Sequence, residues 1–138
     1  MLTLDRFLEA QEPVWEAALA ELAAGEKQTH WMWFIFPQLY GLGVSGKSVY
    51  YGIRGIEEAL QYAEHPVLGS RLIKAIEAVM QSPQKDVDKL LGQLDALKLM
   101  SCLTLFECCP PTQVVCANVL TKRYAGQRDT RTLDLLKQ

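Results

Sequence analysis

His30-Trp31-Met32-Trp33-Phe34-Ile35-Phe36-Pro37-Gln38 is the stretch whose reading decides the fold. Six apolar residues, two of them Trp, stand in a row between a histidine and a Pro-Gln pair. Each buried aromatic removes about 150–250 Å² of surface from water, so the run belongs in the core or in the wall of a pocket. Its residue types would suit a buried strand. A strand needs partners, however, and no other stretch alternates apolar and polar residues convincingly. The run therefore reads as a buried helix from about Gln28 to Ile35, with Phe36 forced out of the helical region by Pro37.

Working outward, helical periodicity recurs along the chain. Leu4, Phe7, Leu8, Val14, Trp15, Ala18, Leu19 and Leu22 mark a helix over 3–24, with a kink or break at Pro13 near Gln11–Glu12 and a stop at Gly25. After the aromatic run, three glycines among residues 41–46 make 41–48 a loop. Helices are predicted from Arg54 to Glu64, and from Pro66 as first residue to about Ser82-Pro83. A helical turn is expected at Val87–Leu91, stopped by Gly92. Residues 94–107 are apolar nearly all round, which marks the buried central helix. Pro110-Pro111 ends it. A helix from Thr112 to Tyr124 follows, and Asp129 is the expected N-cap of a last short helix carrying Leu133, Leu135 and Leu136. The expectation is an all-α fold: one compact domain over 1–138, with six to eight helices around a buried central one.

The totals narrow the function classes. With 138 residues, 49% apolar and 22% charged, the chain has the make-up of an ordinary globular protein. A net charge of −2 gives no general pull toward nucleic acid or anionic lipid. Asp5, Glu9 and Glu12 stand where a signal peptide would need a basic start, and no apolar run approaches the roughly 20 residues of a membrane span. The expected location is the cytoplasm, with no nucleic-acid or membrane partner. Cys102, Cys108, Cys109 and Cys116 form no CxxC pair, and neither His30 nor His65 stands at finger-like spacing from them. Reduced thiols and no metal site are expected.

Gly41 to Ser48 matches the phosphate-loop pattern G-x-x-x-x-G-K-S. In that motif backbone N–H groups cradle phosphates, the lysine (Lys47) reaches the β/γ-phosphates and the serine (Ser48) binds Mg²⁺. A phosphate loop hangs from a parallel sheet of several buried strands, of which this chain offers one at most, and Pro37 interrupts the lead-in. The favoured reading is a plain Gly-rich connection with an exposed Lys47.

Polar residues fall where the core is expected. Asp95, Lys98 and Ser101 share one sector of the central helix at about 100° per residue. They face either solvent, as an Asp95–Lys98 pair at i, i+3, or a polar cavity. His30 either orients the first turn of its helix or titrates in a pocket lined by Trp33 and Phe34. Gln38, donor and acceptor at once, suits a ligand contact or a tie to the loop backbone.

These residues resemble a bacterial and fungal family catalogued as domain of unknown function 1810. The resemblance runs through Arg6-Phe7, Ala10-Gln11, Glu21-Leu22, His30 to Phe34, Phe36-Pro37-Gln38, Gly41-Leu42-Gly43, Ser45 and Tyr51. It continues in His65 to Gly69, Arg71-Leu72, Asp95, Lys98, Ser101, Thr104 to Phe106, Gly126, Asp129, Thr132-Leu133 and Leu136. It implies a mainly helical fold and no established activity. Gly46-Lys47-Ser48 departs from the family pattern. The polar members His30, Gln38, Ser45, Tyr51, Asp95, Lys98 and Ser101 are not the types that core packing requires. Converging beside Trp33, they would form an aromatic-walled site for a small polar or nucleotide-like ligand, with His30 as acid/base candidate. The alternatives are a non-catalytic interaction or regulatory module, and nucleoside-triphosphate binding through Gly41–Ser48. Cofactor, reaction and oligomeric state are not fixed by the sequence.

Overall fold

In a computed structural model, which describes residues 2–138, the N-terminal helix breaks at Pro13 into α1 (Asp5–Gln11) and α2 (Trp15–Ala24). Pro13 has no N–H to continue the ladder. α2 ends at Gly25, as its sequence predicts. The aromatic run is helical only over α3 (Met32–Ile35), four residues shorter at its start than expected. The cause is Glu21. Its Oε1 accepts from the N–H groups of Gln28 (2.7 Å) and Thr29 (2.9 Å), and its Oε2 from the Thr29 hydroxyl (2.6 Å). The same carboxylate takes the indole N–H of the fully buried Trp31 at 3.1 Å. Residues 28–31 are thereby held as an irregular connection. Phe36 leaves the helical region before Pro37, with φ −123° and ψ 73°.

The segment expected to be wholly loop contains a short helix, α4 (Gly46–Tyr50). Ser45 makes it possible: its Oγ accepts from Ser48 N at 3.1 Å, the bond of an N-cap. α5 (Ile56–Glu64) and α6 (Leu68–Gln81) follow. Pro66 lies outside α6 rather than opening it, because the His65 imidazole takes over as cap: its Nδ1 accepts from Val67 N and Leu68 N, both at 3.1 Å. α7 (Val87–Leu91) is where the sequence places it, with the Asp86 carboxylate accepting from the N–H groups of Asp88 and Lys89.

α8 (Gln93–Phe106) is the central helix, packed against α5, α7, α9 (Gln113–Arg123) and α10 (Thr130–Leu136). Ser101 through Phe106 are all buried, whereas Leu94 and Leu97 at its start are 75% and 52% exposed. The apolar-all-round pattern thus buries every residue only over 101–106; before them Ala96 and Leu99 alone are buried. A 3₁₀ turn at Pro110–Thr112 leads into α9. α6 packs on α2, α5 and α9, and a single apolar core runs through every helix from α1 to α9 except α4, with α10 laid on it through Leu135 and Leu136. The architecture is all-α, with ten helices and no strand among the described residues. The count exceeds eight because Pro13 divides one expected helix and Ser45 nucleates an extra one. Among the described residues no helix is long and apolar enough to cross a membrane. All four cysteines are free, three of them buried; burial pushes the Cys102 and Cys116 thiols well up and Cys109 up to about 11, so they stay protonated.

Candidate functional site

The chain between α3 and α5 is a loop closed at its neck. Ile53 N donates to Gln38 O and Tyr40 N to Ile53 O, both at 2.8 Å, joining Leu39 and Ile53 in one parallel bridge. The approach is close enough that a Cβ on Gly52 would stand 2.9 Å from both Tyr40 Cα and Ser48 O, so only glycine fits there. Arg6 fastens the neck from α1. This buried guanidinium donates to the carbonyls of Tyr50 (2.8 Å), Gly52 (3.0 Å) and Thr3 (2.7 Å), and reaches both oxygens of Glu58 at 3.0 and 3.3 Å. Tyr51 is held in turn by the rings of Phe34 and Phe7, with centroids 5.3 and 5.9 Å away.

Between this loop, the exposed start of α8 and the start of α10 lies a cavity of about 300 Å³. Five residues singled out in the sequence line it: Trp33, Gln38, Tyr51, Lys98 and Ser101. Lys47, Ser48 and Arg131 line it as well, while Leu42, Leu94 and Leu97 supply apolar wall. Among the described residues neither a histidine nor a carboxylate does so. Lys47 Nζ and Lys98 Nζ stand 4.7 and 5.1 Å from the centroid of the Trp33 ring, a cation–π arrangement on one indole.

The other candidates stand apart from the lining. Ser45 caps α4, its Oγ also donating to Ser48 Oγ at 2.9 Å. Asp95 lies behind the wall and fixes cations: its Oδ2 is 2.9 Å from Lys27 Nζ and its Oδ1 3.5 Å from Lys98 Nζ. The pair at i, i+3 exists, but Lys27 is its closer and more buried member, and Lys98 turns to the cavity. His30 is exposed, in a bend before α3, and does not line the cavity.

Ser101 links the cavity to the C-terminal helix. Its hydroxyl donates to Asp129 Oδ2 at 2.7 Å, the same oxygen that accepts from Thr132 Oγ1 at 2.6 Å. Asp129 N in turn donates to Thr104 Oγ1 at 3.0 Å. Desolvation acts to raise the Asp129 carboxyl, but the hydroxyl bonds and Arg131 outweigh it and hold the pKa below its ordinary value. It remains an anion, with Arg131 Nε 3.7 Å from its Oδ1. Burial moves Tyr51 the other way, raising its pKa, so its phenol stays protonated and can donate or accept.

Two lining residues escaped the sequence reading. Lys47 was visible only as part of a phosphate-loop match, and its neighbours differ from that motif's setting: helix α3 precedes the loop, and one isolated bridge stands in place of a parallel sheet. Arg131 carries no sequence signal beyond its place two residues after the N-cap Asp129.

The concavity brings cations, hydroxyls, an amide and an indole together.

The profile of a family described as "Protein of unknown function (DUF1810)" matches residues 1–136. Among solved structures, the chain is similar to the conserved hypothetical protein Rv1873 from Mycobacterium tuberculosis, at 43% identity and a TM-score of 0.94, covering 98% of this chain and 96% of that one. No curated protein matches.

Proposed function

We propose that this chain, which belongs to the DUF1810 family, binds a small anionic ligand with a planar, nucleotide-like ring in the cavity beside Trp33. One observation carries the reading: three cationic side chains, Lys47, Lys98 and Arg131, line a cavity that no described carboxylate lines, in a chain whose net charge is −2. Clustering like charge costs stability unless something compensates it. An anion is the compensating group, and the indole gives a planar ring a surface to lie against. Gln38 and the Tyr51 hydroxyl then read ring or sugar polar atoms. Binding rather than catalysis is the assigned role.

A thermal-shift screen over nucleotides, dinucleotides and sugar phosphates tests it. A ligand held at 100 times its dissociation constant stabilises the fold by about 2.7 kcal/mol, a rise of about 8 °C for a domain of this size. The rise should be lost in Trp33→Ala. If every compound leaves the midpoint in place, the reading is wrong.

The non-catalytic interaction module is the second reading. It draws on Leu94 and Leu97, exposed apolar side chains at the cavity rim. Binding of small anions by a protein that stays monomeric would favour the ligand reading. A concentration-dependent sedimentation coefficient abolished by Leu97→Lys would favour the module. Triphosphate binding through Gly41–Ser48 survives only in altered form, since Lys47 and Ser48 face the cavity without the sheet that presents a phosphate cradle.

A further inference from the structure

We infer that the cavity selects a phosphate monoester in its dianionic form, as in a nucleoside monophosphate or a sugar phosphate; this rests on the reading of the Trp33 cavity as a ligand site. The charge accounting around the cavity is specific. Four cations stand there: Lys27, Lys47, Lys98 and Arg131. They meet two carboxylates. Asp95 gives its shorter contact, 2.9 Å, to Lys27, whose side chain is only 8% exposed, and its longer one, 3.5 Å, to Lys98. Asp129 commits Oδ2 to Ser101 and Thr132 and stands 3.7 Å from Arg131 Nε through Oδ1. For Lys47 no carboxylate lies within ion-pair distance among the described residues; its neighbour is the Trp33 ring at 4.7 Å.

The surplus is two positive charges, and it faces the cavity. A phosphate monoester carries about −1.5 to −2 near neutral pH and matches it. A carboxylate or a phosphodiester carries one charge and would leave a cation unmatched. A triphosphate carries more than the three lining cations can neutralise. Size agrees, because about 300 Å³ is the lower end of the range for ligand pockets and favours one nucleotide over a dinucleotide.

The neutral groups divide by their protons. Ser101 has given its hydroxyl hydrogen to Asp129, so toward the cavity it offers lone pairs and would accept from a ligand hydroxyl, not donate to phosphate. Ser48 Oγ accepts from Ser45 Oγ and keeps its own proton to donate. Phosphate oxygens therefore belong on the Lys47, Ser48 and Arg131 side, and a sugar hydroxyl toward Ser101.

The experiment is isothermal titration at constant ionic strength with three ligands for each of the four common bases: the nucleoside, its 3′,5′-cyclic phosphate (a monoanion) and its 5′-monophosphate (a dianion). Ribose 5-phosphate is a fourth arm. For the base that fits, the 5′-monophosphate should bind about tenfold tighter than the cyclic phosphate, and the nucleoside weakest, as charge-assisted bonds are lost in turn. Lys47→Met and Arg131→Gln should each weaken the monophosphate about tenfold while changing the nucleoside less than twofold. Both side chains are exposed, so the variants should fold, which circular dichroism checks. Ribose 5-phosphate binding as tightly as the monophosphate would support the inference and assign the ligand to sugar phosphates. Equal affinity for nucleoside, cyclic phosphate and monophosphate would overturn it while leaving the ligand cavity standing. Binding by none of the compounds would overturn the cavity reading as well.

Discussion

The Lys47 ammonium stands 4.7 Å from the centroid of the Trp33 ring, and the Lys98 ammonium is drawn to the same ring at 5.1 Å. Two like charges beside one indole repel each other, which offsets part of what each gains from the ring. The arrangement is tolerated by the free protein rather than stabilising it. Lys47→Met should therefore leave the free protein within about 0.5 kcal/mol of the parent. Salt screens the repulsion, so added sodium chloride should raise the melting point of the parent more than that of the variant. A variant much less stable than the parent would show instead that Lys47 is there to hold the loop.

Glu21 carries a second expectation, this time about acid. Desolvation is the largest single influence on its carboxyl and acts upward, yet the bonds from Thr29, Gln28 and Trp31 together prevail and bring it from 4.5 to about 2. A pKa lower in the folded than in the unfolded chain means that folding favours the anion. Its stabilisation is complete above about 4.5 and is lost as the pH falls toward about 2. Because solvent still reaches this carboxylate, the contribution is about 1–2 kcal/mol rather than the full value of the shift. Glu21→Gln should lower stability by that amount at neutral pH, and chemical denaturation at a series of pH values should show the gap closing below about 4.5. A gap that stays constant down to pH 2 would mean that the carboxylate's charge contributes nothing.

How far the sequence carries depends on the range of the interaction concerned. α7 is held by local bonds, the Asp86 cap among them, and the helix stands where the chain pattern puts it. The buried half of α8 follows from its apolar run. The start of α3 does not, because the group that denies residues 28–31 a helix is a carboxylate seven to ten positions earlier. Of the polar residues that core packing does not require, Gln38, Tyr51, Lys98 and Ser101 line the cavity beside Trp33, and His30, Ser45 and Asp95 do not. Arg131 could not be found in that way, since an arginine on a short terminal helix looks like any surface cation. His30 misled for the reverse reason. Its place beside the aromatic run suggested a pocket, but the chain turns there and leaves the ring in water.

Gly69 offers a test of packing between α5 and α6. A Cβ at that position would stand 2.1 Å from the carbonyl oxygen of Ala63 and 2.9 Å from its carbonyl carbon. Backbone cannot retreat as a flexible side chain can, so the two helices must separate at the point where His65 caps α6. Gly69→Ala should cost about 3 kcal/mol despite the better helix propensity of alanine, read as a drop in the urea midpoint with unchanged slope. A neutral or stabilising effect would mean that α6 enters its first turn farther from α5.

Arg6 joins fold and site most directly. Its guanidinium, with 2% of the side chain exposed, closes onto Glu58 while donating to the carbonyls that shape the loop neck at Tyr50 and Gly52. Removing it leaves those carbonyls without this donor and Glu58 with the Arg54 N–H alone, and a largely buried charge that loses its ion partner costs about 3–5 kcal/mol. Lysine keeps the charge, but a single ammonium cannot reproduce the planar fork that serves five acceptors at once. Stability should fall in the order parent, Arg6→Lys, Arg6→Met, with the methionine variant near the limit of folding. Amide hydrogen exchange adds a local reading. Ile53 N and Tyr40 N, which close the neck at 2.8 Å, should lose protection in Arg6→Lys before the core amides of α8 do. If those two amides stay as protected as in the parent while the whole domain weakens, Arg6 supports the core alone, and the loop neck holds by its own bonds.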